Sequence, residues 1–234
     1  MSQDRRQAGF TLIELMIAIT LVAAISAGLL TTMRNALLTM ERTQARLEEN
    51  RRALGIQDLI RRQIDGLIPV RALCGTGAQP VLADIFRGNR TSLLLVTNES
   101  MTEGSRGYPR VALYQVQPNP DGTFRLEVSE QVFSGPTSTA PYCETDPRVL
   151  HSFGGVQPVV LLNKLAFCRF TYRNLNQNTL FGREWMEAWV LPYAPYSVRI
   201  EMEAAPNSDV RMPVGSITIP LRISRTPGEL YFDE

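Results

Sequence analysis

Gly9-Phe10-Thr11-Leu12-Ile13-Glu14 opens an apolar run that continues to Leu30. The 21 residues from Phe10 to Leu30 are about what an α-helix needs to cross a bilayer. The glutamate is the exception. Insertion scales put a charge in hydrocarbon at a cost of roughly 2.5–3.5 kcal/mol, so Glu14 asks for a partner.

A cut between Gly9 and Phe10 would create one. The new α-amine of Phe10 would lie about one helical turn from Glu14, and the two charges could neutralise each other within a chain or between staggered neighbours. The polar leader Met1–Gly9, with Arg5 and Arg6, holds the uncut end on the cytoplasmic side. Two plainer readings fit less well. An ordinary secretory signal could be cut at Ala24-Ile25-Ser26, but Glu14 would then fall inside its apolar region. A simple single-span anchor explains the length and leaves the glutamate without a reason.

The stretch resembles the class III signal of type IV pilins and type II secretion pseudopilins: Gly before the cut, Phe after it, Glu at the fifth mature position. The resemblance implies that a prepilin peptidase removes residues 1–9 and methylates the amine of Phe10. It gives Glu14 a role in assembly, through pairing with a neighbour's N-terminal amine.

About 165 residues follow from Pro69 onward, enough for one sizeable core. The formal charge is +1, and losing Asp4, Arg5 and Arg6 with a leader takes 24 basic and 23 acidic side chains to 22 of each. A neutral chain without a clustered basic face argues against a nucleic-acid partner. Lys164 is the sole lysine, a bias we read mainly as codon usage in a GC-rich genome.

From Thr31 the helical pattern continues with changed polarity. Met33, Ala36, Leu37, Met40, Leu47 and Leu54 recur at helical steps, and Ile56, Ile60, Ile64 and Leu67 follow on a slightly rotated line. Glu48–Arg52 and Asp58–Arg62 have the favourable acid-before-base order. With no proline before Pro69, Phe10 to about Leu67 is expected to form one helix, on the order of 85 Å long. Its first half would face lipid and its second half would present an apolar stripe to the domain's own sheet.

Beyond Pro69 the period changes to that of strands. Candidates are 91–97, 111–116, 123–133, 159–162, 165–172, 185–190, 197–203 and 216–223, with Asn119-Pro120-Asp121-Gly122 as a hairpin turn. Phe124, Leu126 and Val128 alternate with Arg125, Glu127 and Ser129, which predicts an antiparallel sheet with one wet face. Pro220 places the last strand at an edge or on a bulge. Segments 73–80, 99–109, 134–147 and 204–215 read as loops. The fold class is α+β and pilin-like: a long N-terminal helix, membrane-spanning in its first half, packed on an antiparallel β-sheet domain. The expected divisions are a leader over 1–9, the transmembrane half of the helix over 10–30, its amphipathic half over 31–68, and a periplasmic β-rich domain over 69–234.

Later stretches narrow the resemblance. Asn163-Lys-Leu-Ala-Phe-Cys-Arg-Phe-Thr-Tyr172, then Trp185 and Trp189, then Pro195-Tyr-Ser-Val-Arg-Ile-Glu201 are similar to the J-type minor pseudopilin of the type II (general) secretion pathway. The helix from Met40 to Leu47 and from Asp58 to Arg62 is similar too. This implies a protein-transport subunit of the inner membrane, single-pass, with its C-terminal domain in the periplasm. Implied partners are I- and K-type minor pseudopilins and the major pseudopilin at the tip of a pseudopilus, besides the peptidase. A minor pilin of a type IV pilus, acting in fibre initiation or adhesion, is the alternative. A tethered periplasmic binding module is a third class.

An enzyme reading finds little to stand on. His151 is the single histidine, and no His, Cys or carboxylate spacing resembles a metal site. Gly154-Gly155 lacks the glycine pattern of a phosphate loop. Glu184 and Glu187 are paired only in sequence, and Trp185 and Trp189 read as core or groove wall. We therefore expect no catalysis, cofactor or metal. The three cysteines suit an oxidising compartment. Cys74 and Cys143, both in Gly/Pro-rich loops, are the favoured disulfide, with Cys168 buried and reduced. Cys74–Cys168 is the competing pair.

Overall fold

The computed structural model describes residues 11–74, 81–101, 106–135, 153–174, 185–191, 193–206 and 215–221. The chain divides into two compact units, Met1–Glu48 and Glu49–Glu234. One α-helix, α1, runs for 54 residues from Leu12 to Asp65. Within Leu12–Gln44 an 18-residue stretch reaches a mean hydropathy of 2.3 with none of it buried, long and apolar enough to cross a membrane.

The second unit contains the rest of α1 and the strands. These are β1 (Arg71–Cys74), β2 (Val81–Asp84), β3 (Phe86–Gly88), β4 (Ser92–Glu99), β5 (Arg106–Pro118), β6 (Phe124–Val132), β7 (Val159–Arg173), β8 (Trp185–Met186), β9 (Ser197–Ala204) and β10 (Ser216–Pro220). β1 and β2 pair as a small antiparallel sheet. The other eight form an antiparallel sheet in the order β10-β9-β7-β6-β5-β4-β3, with β8 also on β7. The α+β expectation holds.

The large sheet curls until its β3 side meets β7 and the segment after β8. Gly88 and Trp189 exchange backbone hydrogen bonds at 2.8 and 3.4 Å, and Phe170 N–H donates to Arg90 O at 2.9 Å. Curling encloses the main core of Phe86, Leu93, Leu95, Tyr114, Leu126, Phe170, Tyr172, Trp189 and Ile200, and Ile60 and Ile64 of α1 complete it. On the other face of β4 and β5, a second cluster gathers Ala72, Ile85, Leu94, Val96, Val111, Leu113 and Phe153.

That second cluster corrects the expectation of a simple wet face. Glu127 and Ser129 are buried. Their cross-strand partners are Gln115 and Leu113, and Leu113 belongs to the second cluster. The three strands at 71–88 were not anticipated, because three- and four-residue strands are too short to show a period of two.

Other differences are local. The helix stops at Asp65 rather than Leu67, since Gly66 turns the chain and Leu67 bridges to Thr97 in β4. Within the second unit, the part of α1 that is described has Ala53, Ile60 and Ile64 buried, while Leu54, which the apolar stripe was expected to bury, is exposed. Segments 159–162 and 165–172 form one strand. Lys164, with φ of 54°, makes the irregularity where pairing with β6 gives way to pairing with β9. The strand expected at 185–190 shrinks to Trp185–Met186 plus the bridge at Trp189. The hairpin turn forms as expected: Asn119 N–H donates to Thr123 O at 2.7 Å, and Gly122 takes φ of +81°.

Candidate assembly site

Thr11 is the last non-helical residue before α1, which makes it the N-cap and Glu14 the third helical residue. Glu14 Oε2 accepts from the Thr11 backbone N–H at 3.1 Å and from the Thr11 hydroxyl at 3.0 Å. A Thr-x-x-Glu spacing is the signature of a capping box, in which the acid reaches back to satisfy an orphan donor. The sequence reading singled out Glu14 for its charge and passed over this signal. Two neutral donors hold the carboxylate in place without cancelling its charge, so the need for a cation persists in a bilayer. Gly9 and Phe10 lie outside the described residues.

Further along the apolar span the hydroxyls are satisfied internally. Thr20 donates to Ile17 O at 2.9 Å, Thr31 to Gly28 O at 2.8 Å and Thr32 to Leu29 O at 2.9 Å. Such back-bonding lets threonine sit in hydrocarbon without an unpaired hydroxyl.

At its other end α1 is tied into the sheet by a buried polar knot. Gln63 lies between Ile60 and Ile64 and is 1% exposed. Its amide donates to Glu130 Oε1 at 2.6 Å and Glu99 O at 3.0 Å, and its Oε1 accepts from the Tyr114 hydroxyl. Thr97 Oγ1 donates to Gln63 O at 2.7 Å. Glu130 also accepts from Ser100 Oγ and Met101 N–H, each at 2.7 Å. Burial, and then the Glu130 charge, push the Tyr114 phenol well above its usual range. Nothing in the sequence flagged Gln63, because a polar residue beside an apolar stripe reads as solvent-facing.

The closure of the curled sheet centres on Tyr172. Its hydroxyl lies 2.9 Å from Asn89 O and 3.1 Å from Ser92 O, and its ring packs near Trp189 at 6.5 Å. Gly88 has to be glycine, since a Cβ there would fall 2.2 Å from Tyr172 Oη. Trp189 is fully buried and Trp185 half-buried, in keeping with core and wall. Glu187 faces Arg90 at 3.7 Å, an ordinary surface ion pair.

Cys74 is in a disulfide, while Cys168 is buried and free. The competing Cys74–Cys168 pair is therefore excluded. The two sit on opposite sides of the sheet, Cys168 in the main core and Cys74 against the second cluster. Burial pushes the Cys168 thiol up to about 12. Cys143, His151 and Glu184 lie outside the described residues. Among the described residues, no group of three or more His, Cys, Asp or Glu could hold a metal ion.

No curated protein matches the chain. Residues 4–30 match the family of the prokaryotic N-terminal methylation motif, whose members are structural subunits rather than enzymes, and the N-terminus of this chain is accordingly of the type IV pilin and pseudopilin kind.

Proposed function

We propose that the chain is a minor pseudopilin of the type II secretion system, part of the complex at the pseudopilus tip that supports its assembly and the export of folded periplasmic proteins. The observation that carries the pilin-like part of this reading is Glu14, a carboxylate placed at the start of a lipid-compatible helix and capping it, within the methylation motif. In this reading the peptidase cuts between Gly9 and Phe10 and methylates Phe10. Glu14 then meets the amine of a neighbouring subunit, and residues 10–30 leave the bilayer as the fibre grows. The β-rich domain lies in the periplasm, where Cys74 pairs with Cys143. I- and K-type minor pseudopilins and the major pseudopilin are the partners. The J-type assignment rests on the resemblance of the stretches 163–172, 185–189 and 195–201.

A clean deletion of the gene tests the proposal, with exported proteins and surface fibres scored side by side. Loss of exported enzymes with pili intact is the expected result. Loss of pili with secretion intact would make the chain a minor pilin instead.

A further inference from the structure

We infer that the outer face of β7 and β9 beside β8 is a binding site for a carboxylate carried on a partner polypeptide, held by Arg173 and Arg199 next to Trp185.

Three independent features converge there. The Arg199 guanidinium lies over the Trp185 ring, 3.7 Å from its centroid. Stacking presents its planar fork edge-on to solvent in a fixed orientation. Its other contacts are long: 3.4 Å from Nε to Thr218 Oγ1 and 3.8 Å from Nη1 to Glu201 Oε1. Glu201 is already engaged by Arg169 Nε, so it leaves Arg199 largely uncompensated. Arg173 is the register partner of both Trp185 and Ser197, which puts it diagonal to Arg199 on the same face. Among the described residues Arg173 has no acceptor. Between the two arginines along β7 stands Thr171, paired in register with Arg199. It is 8% exposed, and among the described residues its hydroxyl has no hydrogen-bond partner. A buried hydroxyl left unpaired is uncommon and calls for a reason.

The ligand chemistry follows. Two guanidinium forks suit an oxyanion. The nearby Glu201 and Glu203 disfavour a doubly charged phosphate and leave room for one negative charge. Ser216 and Thr218, exposed on the adjacent β10, offer neutral hydrogen bonds of the kind peptide groups accept. The surroundings are thus those of a polypeptide acid rather than a lipid headgroup.

The test uses the full chain in detergent and follows tryptophan fluorescence, to which Trp185 contributes. Three probes are titrated: a blocked tripeptide with one central glutamate, its glutamine counterpart, and inorganic phosphate. A saturable change with the glutamate peptide only, weakened about tenfold or more in Arg173→Gln, is expected. Arg173→Gln removes a side chain without partners among the described residues, so its denaturation midpoint should equal that of the parent. No saturable change, an unchanged affinity in Arg173→Gln, equal binding of the glutamine peptide, or tighter binding of phosphate would each overturn the inference.

Discussion

At Glu14 the cap and the charge are separable, because glutamine at the third helical position can reach back to the N-cap as glutamate does. Glu14→Gln keeps an acceptor for the Thr11 donors and loses the charge, whereas Glu14→Ala loses both. If the carboxylate serves to meet an N-terminal amine, the two variants fail to enter fibres to the same degree while accumulating in the membrane at parental levels. The check is quantitation of the protein in sheared fibres against membrane fractions. A Glu14→Gln chain that assembles like the parent would leave capping as the sole role. Glu14 was legible in the sequence because a charge in an apolar run contradicts its surroundings. Gln63 and Gly88 were not. Their roles depend on what the fold brings to them across tens of residues: Glu130 and Tyr114 in one case, Tyr172 in the other.

Among the elements, α1 and the central strands could be read with little error, because long periodic segments average over local exceptions. The fragments β1, β2, β3 and β8, of two to four residues, were invisible or misjudged, since they are too short to show a period, and the contact between β3 and the segment after β8 comes from closure of the sheet. The docking end of α1 illustrates the same limit. A stripe of apolar residues located the face, but Leu54 within it is exposed, and the polar knot on Gln63 settles how the helix ends against the sheet. Tyr114→Phe should therefore cost about 1–3 kcal/mol. It leaves the Gln63 side-chain Oε1 buried without its donor while changing little volume. Chemical denaturation of the full chain in detergent measures it. A loss under about 0.5 kcal/mol would mean that the tyrosine hydroxyl contributes nothing to anchoring the helix.

For the whole molecule, the buried acids of the main core link stability to alkaline pH. Tyr114 and Tyr172 are raised well above the usual phenol range, and Cys168 is pushed up to about 12, all chiefly by burial. Each is neutral in the folded state, and each would ionise near its ordinary value once unfolded. Their contribution is thus complete below pH ~8 and erodes as pH rises through the thiol and phenol ranges toward the raised folded values. Once the unfolded groups have ionised, each lowers stability by about 1.4 kcal/mol per further pH unit. Denaturation midpoints should be level between pH 7 and 8, begin to fall through the thiol range and fall steeply above pH ~10. Tyr114 and Tyr172 should ionise only together with unfolding. The same samples report on the cysteines. At pH 8 the folded chain should resist alkylation, and unfolding without reductant should expose one thiol, Cys168, if Cys74 is bridged to Cys143. Rapid labelling of the folded chain would contradict the burial of Cys168. Three thiols on unfolding without reductant would remove the bridge, and with it the main sign of an oxidising compartment.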